Sequence, residues 1–237
     1  MPTSPMAQVS EVMWFVEGIQ PRSVLDIGIG CGKFGFLCRE LLEVTGLGRP
    51  TFSTVGPPTS SDDPRIVIDG VEVHEQYITP LHRLIYDKVL IGDALDILPG
   101  ISAGAYEMVL AADVLEHFAY DDALTFLEQC TRIAGAVLIT TPKSWVEQGA
   151  WFENQYETHR SAWSGRKLLA AGAKCVINTP AAPSSLFVLF GDSDSAVRIA
   201  RRAMWRRRMA RYIPEVLGRS FMFATARKWL PLSGKQP

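Results

Sequence analysis

The sequence SVLDIGIGCGKFG, residues 23–35, decides the fold. The short apolar run that ends at Asp26 predicts a buried parallel strand. Glycines then follow at alternate positions: Gly28, Gly30 and Gly32. Glycine adopts positive φ readily and lets a ligand approach the backbone. Apolar residues recur at helical spacing over residues 34–42, which predicts a helix whose N-terminus faces the turn. A strand, a glycine turn and a helix in this order predict a nucleotide-cofactor site.

The spacing of the glycines distinguishes two kinds of cofactor site. Dinucleotide enzymes use G-x-G-x-x-G, whose third glycine would fall where this chain has Lys33. Alternate glycines preceded by an acid instead resemble motif I of the class I S-adenosylmethionine-dependent methyltransferases. The resemblance implies an α/β fold with a Rossmann-like, doubly wound sheet of seven strands, mostly parallel with an antiparallel last strand. It also implies S-adenosylmethionine as cofactor, held in part by the motif residues Asp26, Gly28, Gly30 and Gly32.

Acidic residues at two later strand ends match further cofactor contacts of the family. Residues 65–73 predict a second strand, and Glu72 lies where a doubly wound sheet places an acid on the ribose of its cofactor. A carboxylate suits this position because it accepts from both hydroxyls. Residues 88–91 predict a third strand. Asp93 and Ala94 follow it and resemble the motif that holds the adenine. The alternative for Glu72 is a solvated acid at a strand end. The alternative for Asp93 is an ordinary turn after the strand.

The segment Asp113-Val-Leu-Glu-His117 resembles the D-x-L-E-H form of motif IV and follows a predicted fourth strand. Ligands bind at the carboxyl ends of parallel strands. We therefore expect Asp113 and His117 to face the site of methyl transfer, with Asp113 also near the cofactor. The alternative for His117 is a structural role, in which it holds its loop through a backbone hydrogen bond.

A second histidine-bearing element follows the predicted fifth strand. Residues 158–163, Thr-His-Arg-Ser-Ala-Trp, resemble the H-R-S-x-W element that some members of the family carry there. In the family the acceptor usually binds against the segment after strand five. His159 is therefore our preferred general base, ahead of His117, because a histidine takes up a proton near neutral pH.

The resemblance implies a methyltransferase, in which the protein mainly aligns the acceptor with the methyl group. No element like N-P-P-Y follows the fourth strand, which counts against the amino groups of nucleic-acid bases or glutamine as acceptors. A hydroxyl of a small molecule or a glycan is therefore the expected acceptor. Two alternatives stay open: a protein of the same fold that binds S-adenosylmethionine or acts as a scaffold without turnover, and an aminopropyl-transfer relative.

Composition fits one globular α/β domain with an appendage. The 237 residues are 47% hydrophobic and 21% charged. The four cysteines show neither a C-x-x-C pair nor zinc-ligand spacing, so we expect reduced thiols and no metal site. The N-terminus lacks a basic start before an apolar run, and no run reaches the roughly 20 residues of a membrane-spanning helix. We therefore expect a cytoplasmic protein.

The net charge of −1 conceals a division of charge along the chain. Residues 1–195 carry 13 Lys/Arg and 24 Asp/Glu, a net of −11, whereas residues 196–237 carry 11 and 1, a net of +10. We accordingly divide the chain into a methyltransferase domain, residues 1–194, and a basic amphipathic helical extension, residues 195–237. Three interpretations of the extension stay open: a helix held weakly at an anionic membrane surface, a helix packed on the acidic body, and, least favoured, a nucleic-acid arm.

Two further segments have predicted structures. Residues 5–18 place apolar side chains on one helical face and predict a leading helix that Gly18 ends. Residues 46–64 contain four prolines and show no sustained period. A loop of that length predicts either a lid on the substrate side or a plain insertion.

Overall fold

The computed structural model describes residues 3–44, 66–151 and 154–210 of the chain. The proline-rich segment 46–64 and the part of the basic extension beyond residue 210 therefore lie outside the described residues. The predictions for the lid and for the end of the extension stay predictions.

One sheet forms the centre of the fold, and the described residues supply seven strands to it. They are β1 (Ser23–Ile27), β2 (Val67–Glu72), β3 (Lys88–Ile91), β4 (Tyr106–Ala112), β5 (Ala134–Pro142), β6 (Cys175–Thr179) and β7 (Ala182–Phe190). Their order is β3-β2-β1-β4-β5-β7-β6, and β7 runs antiparallel to both of its neighbours. The predicted doubly wound sheet with an antiparallel last strand is confirmed. The strand order reverses between β1 and β4, the place where such sheets bind ligands.

Helices cover both faces of the sheet. They are α1 (Val9–Ile19), α2 (Lys33–Arg39), α3 (Pro80–Ile85), α4 (Ala94–Ile97), α5 (Tyr120–Ile133), α6 (Gly165–Ala170) and α7 (Asp194–Ala210). Alternate strand residues point to opposite faces. Val24, Met108 and Leu110 therefore pack into one core with α1, α2 and α7, whereas Leu25 and Val109 pack into a second core with α5 and α6. Each face of the sheet is buried, as the apolar strands predict.

The leading helix is present, but the prediction that Gly18 ends it is wrong. α1 continues to Ile19, and Gln20 adopts the left-handed conformation, with φ of 54°, that ends the helix. Gly18 is needed for packing instead. A Cβ at this position would lie 2.1 Å from Cδ1 of Ile199 in α7, so only a glycine lets the two helices approach.

The described part of the basic extension packs on the body of the protein. Four residues on one face of α7 are buried against it: Ala196, Ile199, Ala200 and Ala203. The Arg206 guanidinium lies 4.1 Å from the ring centroid of Trp14, and its Nη1 is 3.5 Å from Oε2 of Glu11 in α1. The change in composition after residue 194 is thus not a boundary in packing. No helix within the described residues is long and apolar enough to cross a membrane.

Candidate functional site

A cavity of about 490 Å³ lies at the carboxyl ends of β1 to β5, a size typical of small-molecule sites. Its lining divides along the sheet edge. The part over β1, β2 and β3 is formed by residues 26–31, 33–34, 71–73 and 92–95 and is here called the glycine half. The part over β4 and β5, formed by cavity-lining residues of 113–118 and 142–160, is called the histidine half. Every predicted site residue except Gly32 lines this cavity.

The glycine turn requires its glycines. Gly28, Gly30 and Gly32 have φ of 73°, 50° and 79°, in the left-handed region. A Cβ at Gly28 would lie 2.6 Å from Cγ2 of Val114, and one at Gly32 would lie 3.1 Å from Cδ1 of Ile85. The backbone conformation therefore disfavours larger residues at all three positions, and at Gly28 a Cβ would also collide with Val114.

Side chains from β2 and α3 hold the turn in place. Oε2 of Glu72 accepts from the Gly30 N–H at 3.1 Å, and Oε1 accepts from the His74 N–H at 3.0 Å. His82 reaches the same glycine from α3: its Nε2 donates to the Gly30 carbonyl at 2.8 Å, while its Nδ1 accepts from the Thr79 N–H at 3.0 Å. Sequence analysis missed His82, since nothing in residues 79–82 points to a contact with a turn so far back along the chain.

Asp26 supports the turn from within the protein. Its carboxylate is buried, and Oδ2 accepts from the Tyr86 hydroxyl at 2.7 Å. Burial raises the pKa of Asp26 to about 7, although the hydrogen bonds from Tyr86 and the Gly35 amide favour the ionised form. The predicted contact of Asp26 with a cofactor stays a prediction. The hydrogen bond between Asp26 and the Gly35 amide connects the end of β1 to the first turn of α2.

Glu72 and Asp93 keep hydrogen-bonding capacity for a ligand. Each oxygen of the buried Glu72 accepts one backbone N–H, and a carboxylate oxygen has two lone pairs. Burial raises the pKa of Glu72, and the amides of His74 and Gly30 partly oppose this. Asp93 caps α4 through Oδ1, which accepts from the Leu95 N–H at 2.9 Å. Oδ2 of Asp93, beside the buried Ala94, is then the atom that can accept from a ligand.

Asp113 connects β4 to the leading segment of the chain. It is a non-glycine residue with φ of 57°, a conformation that costs about 1–3 kcal/mol and recurs at functional sites. Its N–H donates to the Thr140 carbonyl at 3.0 Å, and its two carboxylate oxygens each lie 3.0 Å from Nε2 of Gln8, which donates to them. Gln8 also donates to Oγ of Ser185 at 2.8 Å. Sequence analysis missed Gln8 because it precedes every motif.

His117 and His159 lie side by side in the histidine half, with ring centroids 5.0 Å apart. Nδ1 of His117 donates to the Thr158 carbonyl at 3.3 Å, and Nδ1 of His159 donates to the Val146 carbonyl at 2.7 Å. In each neutral ring Nε2 is therefore the unprotonated nitrogen. Burial lowers the pKa of His117, and the neighbouring His159 lowers it further. His117 thus bonds the backbone of its neighbouring segment and lines the cavity, while its role in methyl transfer stays a prediction.

Glu116 brings the two histidine-bearing segments together. Its backbone carbonyl accepts from the N–H groups of Arg160 and Ser161 at 2.8 and 3.1 Å. Its side chain is 3% exposed, and Oε2 has no hydrogen-bond partner in the part of the chain that the structure describes. Burial, together with the charge of Asp113, raises the pKa of Glu116 well above its ordinary value. Glu116, His117 and His159 each offer one atom that could bind a metal ion, and these three atoms lie within 4.8 Å of one another.

The fold has solved counterparts among methyltransferases. A structure of an S-adenosylmethionine-dependent methyltransferase from Archaeoglobus fulgidus aligns with a TM-score of 0.51, at 16% identity, over 77% of this chain and 90% of that one. The methyltransferase domain of bacterial CtHen1 aligns with a TM-score of 0.50, at 15% identity, over 78% of this chain and 98% of that one. This chain has the class I methyltransferase fold.

The same class I fold also aligns with a protein described as a zinc-dependent alcohol dehydrogenase from Rhodobacter sphaeroides. The TM-score is 0.56, at 12% identity, over 80% of this chain and 92% of that one. No family model and no curated protein matches the sequence. A fold is shared by proteins of different activity, so the activity has to be argued from the cavity.

Proposed function

We propose that the chain is an S-adenosylmethionine-dependent methyltransferase whose acceptor is a hydroxyl of a small molecule or a glycan. The observation that supports this best is a single cavity with two unlike halves. The glycine half offers carboxylates and an open backbone turn, as a nucleotide needs, and the histidine half offers imidazoles and aromatic rings. Group transfer requires two ligands held in contact, and one continuous cavity meets that requirement.

The residues of the glycine half fit the nucleotide part of S-adenosylmethionine. Glu72 would accept from the ribose hydroxyls through the lone pairs that the amides leave unused. Asp93 would accept from the adenine amino group through Oδ2, with Ala94 against the ring. The turn at Gly30 leaves the backbone open to the rest of the molecule. When bound, the cofactor supplies a methyl group on a positively charged sulfur.

The histidine half fits an acceptor that carries a ring. Val146, Trp151 and Tyr156 line the cavity and are 47%, 57% and 47% exposed. The exposed rings of Trp151 and Tyr156 can pack against a ring of the acceptor, and Val146 adds apolar surface. The unprotonated Nε2 atoms of His159 and His117 can accept the hydroxyl proton. Asp113 orients the end of β4, since Gln8 and Thr140 already bond its carboxylate.

The test is turnover with labelled S-adenosylmethionine and fractions of a metabolite extract, with S-adenosylhomocysteine and the product mass as readouts. The wild-type protein should form both. His159→Ala should lower turnover about 100-fold or more, the usual contribution of a positioned proton acceptor. If the wild-type protein binds S-adenosylmethionine but forms no S-adenosylhomocysteine with any fraction, the alternative of a binding protein or scaffold replaces the proposal.

A further inference from the structure

We propose that Glu116, His117 and His159 bind one divalent transition-metal ion in the histidine half of the cavity. The prediction of no metal site considered only the cysteines, and these three ligands come from two other segments of the chain. Three arguments carry the proposal: the distances among the ligand atoms, the hydrogen bonds that orient the rings, and the unpartnered carboxylate oxygen.

The ligand atoms are close enough for one ion to reach all three. They lie within 4.8 Å of one another. Ligands at about 2.0–2.2 Å from a tetrahedral metal are separated by about 3.4 Å. Side-chain rotations that bring the atoms about 1 Å closer therefore close the site. The shared backbone bonds from Arg160 and Ser161 to the Glu116 carbonyl fix the two segments in this arrangement.

Both imidazoles are oriented as metal ligands usually are. A metal-bound histidine commonly donates its other ring N–H to a carbonyl or a carboxylate, which fixes the tautomer and the ring direction. Here Nδ1 of His117 donates to Thr158 and Nδ1 of His159 donates to Val146. Metal ligands must also be unprotonated.

Glu116 supplies the carboxylate ligand, which a bound divalent cation would hold in its ionised form. Its carboxyl is almost completely buried, and its Oε2 lacks a partner among the described residues. An unpaired polar atom at such a depth is costly, and buried charges are usually paired or bound to metals. None of the basic side chains that the structure describes pairs with Glu116. A divalent cation bound by the two imidazoles and this carboxylate would balance the carboxylate charge.

The donor set indicates the class of ion. Two imidazoles and one carboxylate suit Zn²⁺, Fe²⁺, Co²⁺ or Mn²⁺ better than Mg²⁺ or Ca²⁺, which prefer oxygen ligands. Three protein ligands leave at least one coordination position open. If the proposed function holds, the acceptor hydroxyl occupies that position and loses its proton to water more readily than in solution. His117 and His159 then act as ligands, and the ion replaces them as the activating group.

The test uses the tag-free, full-length protein after a chelator has removed bound metal. This protein is titrated with Co²⁺ alone. Calorimetry and the visible absorption of the ion report binding without either proposed substrate. One ion should bind per chain, with the absorption typical of mixed nitrogen and oxygen ligands. His159→Ala and Glu116→Gln should each weaken binding about tenfold or more. His74→Ala is the matched control, because this histidine lies outside the cluster and packs on Tyr77. It should bind Co²⁺ as the wild-type protein does.

Two results would overturn the metal site. One is that wild-type protein gives no Co²⁺ signal, and the other is that His159→Ala and Glu116→Gln bind as wild type does. Far-UV circular dichroism checks folding; His159 is only partly buried, so its variant tests the site even if Glu116→Gln is unstable. S-adenosylmethionine affinity is measured on the same samples. If the protein binds S-adenosylmethionine but does not bind Co²⁺, the metal site alone is rejected. If it binds Co²⁺ but does not bind S-adenosylmethionine, the proposed function alone is rejected.

Discussion

The two halves of the cavity are built from different kinds of groups. The glycine half is a backbone turn whose supporting carboxylates, on Asp26 and Glu72, already have hydrogen-bond donors. The histidine half is made of side chains, and one carboxylate oxygen in it, on Glu116, has no partner among the described residues. A backbone turn that side chains hold in one conformation is suited to one constant ligand. A half built from side chains is suited to chemistry that differs between proteins of one fold.

The largest effect is expected for Gly30→Val in the glycine half. The backbone there has φ of 50°, where a β-branched residue is strained, and the added methyl groups would occupy the space beside the turn. Affinity for S-adenosylmethionine, measured by calorimetry, should fall by about 100-fold or more, given about 1–2 kcal/mol of strain in addition to lost contacts.

Gly104→Val is the matched control for this backbone strain. Gly104 has φ of 67°, yet nothing lies within 4 Å of a Cβ built there, and the residue is outside the cavity. The control should lose stability but keep its affinity for S-adenosylmethionine. If both variants lost affinity equally, Gly30→Val would weaken binding by destabilising the fold and not by changing the ligand site.

The next largest effect is expected for Glu72→Gln. The substitution keeps the shape of the side chain but removes the charge and one accepting oxygen. One charge-assisted hydrogen bond contributes about 1.5–3 kcal/mol, so affinity for S-adenosylmethionine should fall about 10- to 100-fold. Glu75→Gln removes the same charge from an exposed position three residues later and should change nothing. A wild-type affinity in Glu72→Gln would reject the ribose contact.

The sequence predicted the glycine half well because its parts are local. Strand, turn and helix are contiguous over residues 23–39, and β2 and β3 follow in regular order. The residues that the sequence did not predict come from segments that are far from the turn along the chain. Gln8 comes from the leading segment, and His82 and Tyr86 come from α3 and its end. No local pattern encodes these contacts, because the tertiary fold alone brings them to the turn.

The histidine half was predicted as separate motifs and not as one cluster. His117 and His159 were each assigned a role by resemblance, but their contact depends on the backbone bonds of Glu116 to the second segment. Cysteine spacing could not reveal a cluster made of histidine and glutamate. The partnerless oxygen of Glu116 is visible only once burial and hydrogen bonds are known.

A smaller effect is expected from pH on the glycine half. Burial raises the pKa of Asp26 to about 7, so this carboxylate takes up a proton as the pH falls from 8 toward 6. Burial also raises the pKa of Glu72, which acts in the same direction. The ionised forms favour the ligand, since Glu72 must accept hydroxyl protons and negative charge attracts the sulfonium. Affinity for S-adenosylmethionine should therefore be about three- to tenfold weaker at pH 6 than at pH 8.

Two comparisons separate the contributions to this pH dependence. Glu72→Gln should show a weaker dependence, because the residue at position 72 no longer changes its charge. S-adenosylhomocysteine lacks the positive charge on sulfur, so its affinity should vary less with pH than that of S-adenosylmethionine. An affinity that rises on acidification would contradict the assignment of the ligand to ionised carboxylates.

The smallest effect on cofactor affinity is expected for His159→Ala, and it tests the division of the cavity most directly. His159 bonds Val146 and contacts the rings of His117 and Trp145, none of which belongs to the glycine half. It shares no hydrogen bond with the glycine turn, Glu72 or Asp93 among the described residues. Distant sites without shared partners usually contribute independently. Affinity for S-adenosylmethionine should therefore stay within about twofold of wild type, even though turnover falls. A loss as large as that of Glu72→Gln would mean that the two halves bind the cofactor as one site.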